Sequence, residues 1–154
     1  SVQNNYDLNS VITLFDFNGN QYQDASIKKQ DKSKDLCVIE SNNIIGSPLV
    51  VNNKNCVYGE EVVNVSASNG IYFPYAVPYH IGAYSGSVKN KEFGLMGIGE
   101  EIAIYTLDIE QGSSGSAVFS KKTKKLCGNV NAVMKKSKLA IGITTIGIKE
   151  FIAR

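Results

Sequence analysis

From Val11 to Phe17 the chain is dominated by β-branched and aromatic residues, and Asn18-Gly19-Asn20 follows with residues that tolerate positive φ. That order predicts a hairpin whose second arm runs from Gln21 to Lys28. Further apolar-rich runs predict strands at Leu36–Ser41, Pro48–Val51, Glu61–Ala67, His80–Lys89, Glu101–Leu107, Ser116–Phe119, Leu126–Met134 and Leu139–Thr145. Turn-rich segments separate nearly all of them. No long amphipathic helical stretch competes until Gly147–Arg154, where Ile148, Phe151 and Ile152 share one helical face. Many short strands with one terminal helix describe an all-β chain, a sandwich or a pair of barrels.

Composition narrows this picture without changing it. The chain has 154 residues, enough for one domain or for two small lobes sharing an interface. An apolar fraction of 43% with 19% charged residues describes a chain that buries a core, which excludes disorder. No apolar run approaches the length that spans a bilayer, so no membrane partner is expected. The net charge is only +2, and the lysines cluster at 28–34, 121–125 and 135–138 among polar residues. Solvated turns account for those clusters, with phosphate binding as the alternative. Aromatic residues do not interleave with them, so a nucleic-acid partner ranks last.

Three cysteines, Cys37, Cys56 and Cys127, cannot all pair within one chain. Because Cys37 lies inside an apolar strand-like run, buried free thiols in a reducing compartment such as the cytoplasm or a virus particle are expected, rather than a disulfide framework. A single histidine and unclustered cysteines give no metal site, and no cofactor is expected.

The chemistry concentrates in Leu107-Asp108-Ile109-Glu110-Gln111-Gly112-Ser113-Ser114-Gly115-Ser116-Ala117-Val118-Phe119. A Gly-x-Ser-Gly segment leading into an apolar strand suits a serine nucleophile, because glycines let the backbone turn its amides towards one point. The amides of Gly112 and Ser114 would then form an oxyanion hole beside the Ser114 hydroxyl. A flexible turn is the competing reading of the same residues. Upstream, Asp35 opens the apolar run Leu36-Cys37-Val38-Ile39. It is either a turn residue or a carboxylate held to orient an imidazole.

In this order, Asp-Leu-x-Val-Ile followed by Gly-x-Ser-Gly-Ser-x-Val-Phe resembles the trypsin-like, chymotrypsin-fold serine peptidases. Ser10 to Asn20 is similar to the hairpin after the catalytic histidine in HtrA-like members, and Gly59 to Val65 resembles their interlobe strand. Tyr84 to Val88 is similar to an early strand of the second barrel. Leu126 to Asn131 resembles the substrate-pairing strand of glutamyl-endopeptidase-like and flavivirus-type proteases, with an ordinary core strand as the alternative. Ala140 to Thr145, with the helix after it, resembles the way HtrA-like domains close.

The resemblance implies two antiparallel β-barrel lobes, an incomplete first one over 1–56 and a second over 57–154 that ends in the short helix. It implies a serine endopeptidase acting on a protein or polyprotein. Ser114 would be its nucleophile, Asp35 the residue orienting the base, and Gly112 and Ser114 the oxyanion donors. Ser113 and Ser116 are not nucleophile candidates, since only Ser114 stands before Gly115 with Gly112 two positions upstream. Gly128, Asn129 and Val130 would bind substrate. Asp108 would lie near the base of a pocket for a Lys or Arg side chain; the alternative is that it ends a strand and faces water.

One departure is large. The family's triad runs His, Asp, Ser, and no histidine precedes Asp35, although Ser1 to Asn5 resembles residues that follow such a histidine. The only histidine, His80, lies between Asp35 and Ser114 and reads as a strand or surface residue rather than a base. The first lobe also shows only three or four strands where a closed barrel of this type needs roughly six. Two expectations follow. Either an N-terminal companion segment or chain supplies the strands and the histidine, or the chain is a catalytically silent relative used for binding or assembly, for instance in a viral particle.

Overall fold

The computed structural model describes residues 11–94 and 99–154. The resemblance of Ser1 to Asn5, and Ser10 at the start of the hairpin, lie outside the described residues. Strands β1 (Ile12–Phe15), β2 (Gln21–Asp31) and β3 (Leu36–Glu40) form a three-stranded antiparallel sheet in the order β1-β2-β3. The hairpin forms where Asn18-Gly19-Asn20 predicts it. Its turn is pinned by Asp16, whose carboxylate accepts the amides of Asn18 and Asn20, each at 2.9 Å, and the Tyr22 hydroxyl at 2.8 Å. Gly19 adopts φ of +90°, and a Cβ there would lie 2.8 Å from Pro74, so glycine is required on both counts. β2 outruns its predicted end at Lys28 because Lys29, Gln30 and Asp31 pair with Val38, Cys37 and Leu36.

The remaining strands are β4 (Glu61–Val65), β5 (Tyr79–Lys89), β6 (Glu101–Thr106), β7 (Ala117–Ser120), β8 (Leu126–Asn129), β9 (Ala132–Met134) and β10 (Leu139–Ile143). They form one antiparallel sheet in the order β8-β7-β4-β5-β6-β10-β9. The sheet curls on itself: Gly128 bridges Thr144, and the Asn131 amide donates to the Ile141 carbonyl at 2.8 Å. Helix α1 (Asn90–Phe93) is a single turn, and α2 (Thr145–Ala153) closes the described chain. α2 begins before the predicted Gly147 because the Thr144 hydroxyl accepts the Gly147 amide at 3.1 Å, an N-cap bond.

Two predicted strands differ from the structure. Leu126–Met134 is not continuous, because the chain changes partners midway: the Val130 amide donates to Ser116 at 3.0 Å on one side, and the Asn131 amide to Ile141 on the other. Pro48–Val51 contributes only a parallel bridge from Val51 to Leu126.

Strand alternation sets the core. Val62, Tyr84, Ala103, Tyr105, Leu107, Val118 and Ala140 point inward and pack together with Ile109, Cys127 and Val130. Ile102, Ile141 and Ile143 face the other way and pack with Leu36 of the first sheet and Ile148 of α2, so this second layer joins the two lobes. Each such aliphatic side chain contributes about 1.5–3 kcal/mol when fully buried. A polar tether supplements it: the Lys29 ammonium donates to the Phe151 carbonyl at 2.6 Å near the end of α2 and lies 4.9 Å from the centre of the Phe151 ring.

The cysteines correct a sequence expectation. Cys56 and Cys127 are joined in a disulfide, with Cα atoms 5.4 Å apart across a separation of 71 residues. The bridge of Val51 to Leu126 brings the segment before Cys56 alongside β8, a long-range pairing that the spacing of cysteines does not reveal. Only Cys37 is free among the described residues. With the pair oxidised, the ground for expecting a reducing compartment falls away.

Candidate active site

Ser114 sits on an exposed turn between β6 and β7, with Gly112 and Gly115 both at positive φ, +102° and +86°. Gly112 is fixed by space as well as torsion, since a Cβ would come within 2.5 Å of the Ala67 carbonyl. The neighbouring amides have intramolecular partners: Ser113 donates to Glu110 at 3.2 Å, Gly115 to Val130 at 2.6 Å and Ser116 to Ser113 at 3.1 Å. The amides of Gly112 and Ser114 donate to no acceptor among the described residues. Two donors without an acceptor among the described residues therefore flank an exposed hydroxyl, and two such donors are what an oxyanion hole needs.

The Ser114 hydroxyl donates to the Asn131 carbonyl at 3.2 Å. The Asn131 side chain in turn donates to the Asp35 carboxylate and to the Asp35 carbonyl, both at 3.3 Å. Asp35 and Ser114 thus lie at the two ends of one residue, although they come from different lobes. Asp35 holds φ of +51°, a left-handed conformation that Asp tolerates better than most residues, at the turn into β3. Burial, and secondarily the Asp35 carboxylate, push the Cys37 thiol above its usual pKa, which disfavours a thiolate nucleophile beside the site.

Asn131 is a site residue that the sequence reading did not single out. The same holds for Asn64 and Ser66, which lie beneath the Ser114 turn and contact Ser113 and Ser116. The available signal was a polar residue at an inward position of the apolar run Val62-Val63-Asn64-Val65-Ser66.

Other expectations require correction. Gly128, Asn129 and Val130, expected to bind substrate, are buried. A Cβ on Gly128 would overlap the Tyr105 hydroxyl, the Asn129 side chain accepts the Ile143 amide at 2.9 Å, and Val130 is fully buried. β9 (Ala132–Met134), at one end of the seven-stranded sheet, pairs with β10 alone among the described residues, so its other edge is unpaired there. Asp108 is 69% exposed and pairs with Lys138 at 3.5 Å, whereas Ile109 beside it is 4% exposed. The inward register of Tyr105 and Leu107 carries on to Ile109, so Asp108 faces water, as the strand-end alternative has it.

His80 lies on β5 directly opposite Asn64, with its Nε2 buried and unpartnered. It hydrogen-bonds neither Asp35 nor Ser114. The donor atoms of Cys56, Glu60 and Cys127 lie within 4.8 Å of one another, but the two sulfurs are spent on the disulfide and offer no thiolate to a metal.

No protein-family model matches the chain, and no curated protein is significantly similar to it. Solved structures are similar. The active form of the Rv3671c protease from M. tuberculosis superposes with a TM-score of 0.72 at 16% identity, over 87% of this chain and 59% of that one. The HtrA-type protease AlgW with decapeptide gives a TM-score of 0.74 at 15% identity, over 92% of this chain and 43% of that one. The chain therefore spans about two fifths to three fifths of the length of these two structures. The fold is that of the trypsin-like and HtrA-type serine proteases, with a curled second lobe, an open first sheet and a short C-terminal helix.

Proposed function

We propose that the chain is the Asp- and Ser-bearing part of a serine endopeptidase. The observation that carries this reading is the exposed Ser114 hydroxyl beside the unclaimed amides of Gly112 and Ser114, linked through Asn131 to Asp35. In the proposed reaction Ser114 Oγ attacks the scissile carbonyl and an imidazole takes its proton. The Gly112 and Ser114 amides receive the oxyanion, and Asp35 orients the imidazole. An extended peptide or protein substrate adds to the free edge of β9.

The imidazole is proposed to come from outside the described residues, on a polypeptide that covers the first lobe. The three-stranded sheet supports this. Its outer strands, β1 and β3, have no further partner strand among the described residues, and Phe15, Ile39, Ile44, Ile45 and Val50 are exposed. Seating the imidazole requires the Ser114 proton to leave the Asn131 carbonyl.

A second reading, a catalytically silent binding relative, is favoured by the placement of the single histidine, opposite Asn64 and unbonded to the site. Removal of the base eliminates most of the rate enhancement even where oxyanion donors persist. Peptide hydrolysis by the intact protein separates the two. Endopeptidase activity lost in Ser114→Ala supports the enzyme; no turnover of any peptide in a diverse library supports the silent relative.

A further inference from the structure

Residues 64, 66 and 68 occupy alternate positions of β4 and its continuation, and all three are buried polar residues. Each meets the segment that carries Ser114. The Asn64 amide nitrogen donates to Ser116 Oγ at 2.8 Å and to the Ala117 carbonyl at 2.9 Å. Ser116 Oγ donates to the Ser113 carbonyl at 2.5 Å. Ser66 Oγ lies 2.7 Å from Asn64 Oδ1 and 2.9 Å from Ser113 Oγ.

One proton per hydroxyl settles the directions. Asn64 Oδ1 can only accept, so Ser66 donates to it, and Ser113 donates to Ser66. The ring therefore runs in one sense from Ser113 through Ser66 and Asn64 to Ser116 and back to the Ser113 carbonyl. It contains no ionised group. Two further bonds extend it along the same strip: Ser68 Oγ accepts the Glu110 amide, and the Asn69 amide donates to the Gln111 carbonyl, both at 2.8 Å.

These contacts grip residues 110, 111, 113, 116 and 117 from beneath and leave the amides of Gly112 and Ser114 pointing at no internal acceptor. A turn with two glycines at positive φ has many shapes open to it, so something must select this one. Buried rings whose members are all satisfied select strongly, because any other shape strands polar groups away from water.

We infer that Asn64 is the positioning residue for the oxyanion-binding turn, acting through Ser66, Ser113 and Ser116, and that this uncharged ring presets the turn in the folded chain. The inference rests on the reading of Ser114 as nucleophile for its catalytic consequence, but the preset itself is a property of the turn.

The test uses the intact protein with Asn64→Ala, Ser66→Ala and Ser113→Ala, read in two ways. In amide NMR spectra, Asn64→Ala is expected to shift and broaden the Gly112 and Ser114 resonances while those of β5 and β6 stay in place. Ser66→Ala does the same to a smaller degree, and Ser113→Ala least. With a fluorophosphonate probe, the maximal rate of Ser114 modification falls at least about tenfold in Asn64→Ala, with the half-saturating probe concentration unchanged. Gly112 and Ser114 resonances unaltered in Asn64→Ala would overturn the inference, as would equal loss of probe affinity and rate. Should Asn64→Ala not fold, Ser66→Ala decides by the same criteria. A wild-type protein that the probe leaves unmodified removes the nucleophile reading, and the spectra still decide the ring.

Discussion

The two lobes treat the same raw material differently. In the second, strands β4 to β10 curl until β8 reaches the end of β10, and Val62, Ala103, Tyr105, Val118 and Ala140 are fully buried. In the first, three strands leave Phe15 at 53% and Ile45 at 87% exposure, and Ala25 and Ile27 are its only buried apolar residues among those described. The turn that carries Ser114 belongs to the closed lobe and is held by internal bonds. Asp35 belongs to the open one and is held at the site by Asn131 from across the interface. In the proposed reaction, the half that depends on the placement of amides lies in the closed lobe, and the half that depends on an imidazole lies on the open one.

The sharpest way to break this contrast is to truncate a large apolar side chain in each lobe. Leu107→Ala, in the closed core, is expected to cost about 2–5 kcal/mol in chemical denaturation. Phe15→Ala should cost less, about 1 kcal/mol, because Phe15 is 53% exposed and its ring gives up little beyond its contact with Tyr72. Comparable losses would mean that the first lobe is as well packed as the second.

Reduction of the Cys56–Cys127 disulfide comes next. It releases a 71-residue loop, for which chain entropy gives roughly 4 kcal/mol as an upper figure. Hydrogen exchange is expected to rise in β8 and in residues 50–56 while β5 and β6 stay protected. Uniform loss of protection would show one cooperative unit instead of two.

Lys29→Ala removes the tether to Phe151 and should cost on the order of 1 kcal/mol. Exchange is expected to rise at the end of α2. The smallest effect belongs to Asp108→Asn. With both partners largely exposed, loss of its pairing with Lys138 should leave the unfolding midpoint unchanged and should not alter any preference for the substrate side chain before the scissile bond. A selective loss of cleavage after Lys and Arg would restore Asp108 to a pocket.

Local patterning made much of the fold legible. Alternation and turn residues place β1 to β7 to within a few residues, because strand period and turn chemistry are short-range. What escaped was set at long range. Leu126–Met134 reads as one apolar run, and only the competing pull of Ser116 and Ile141 divides it. Cys56 meets Cys127 through a parallel bridge that no local pattern signals. The same limit shaped the site. Gly112, Ser114 and Asp35 announce themselves by residue type at turns, whereas Asn64, Ser66 and Asn131 act through partners far along the chain. Gly128, Asn129 and Val130 read as a substrate-facing edge, but the same run is a buried strand once its neighbours are known.

The central claim is that Ser114 is an activated hydroxyl served by an imidazole outside the described residues and oriented by Asp35. Fluorophosphonate modification of the intact protein, mapped by mass spectrometry, tests it most directly. The account predicts a single modified residue, Ser114, with the rate lowered at least a hundredfold in Asp35→Asn and no label in Ser114→Ala. Modification at Ser113 or Ser116, or a Ser114 that stays unlabelled in intact and properly folded protein, would contradict it.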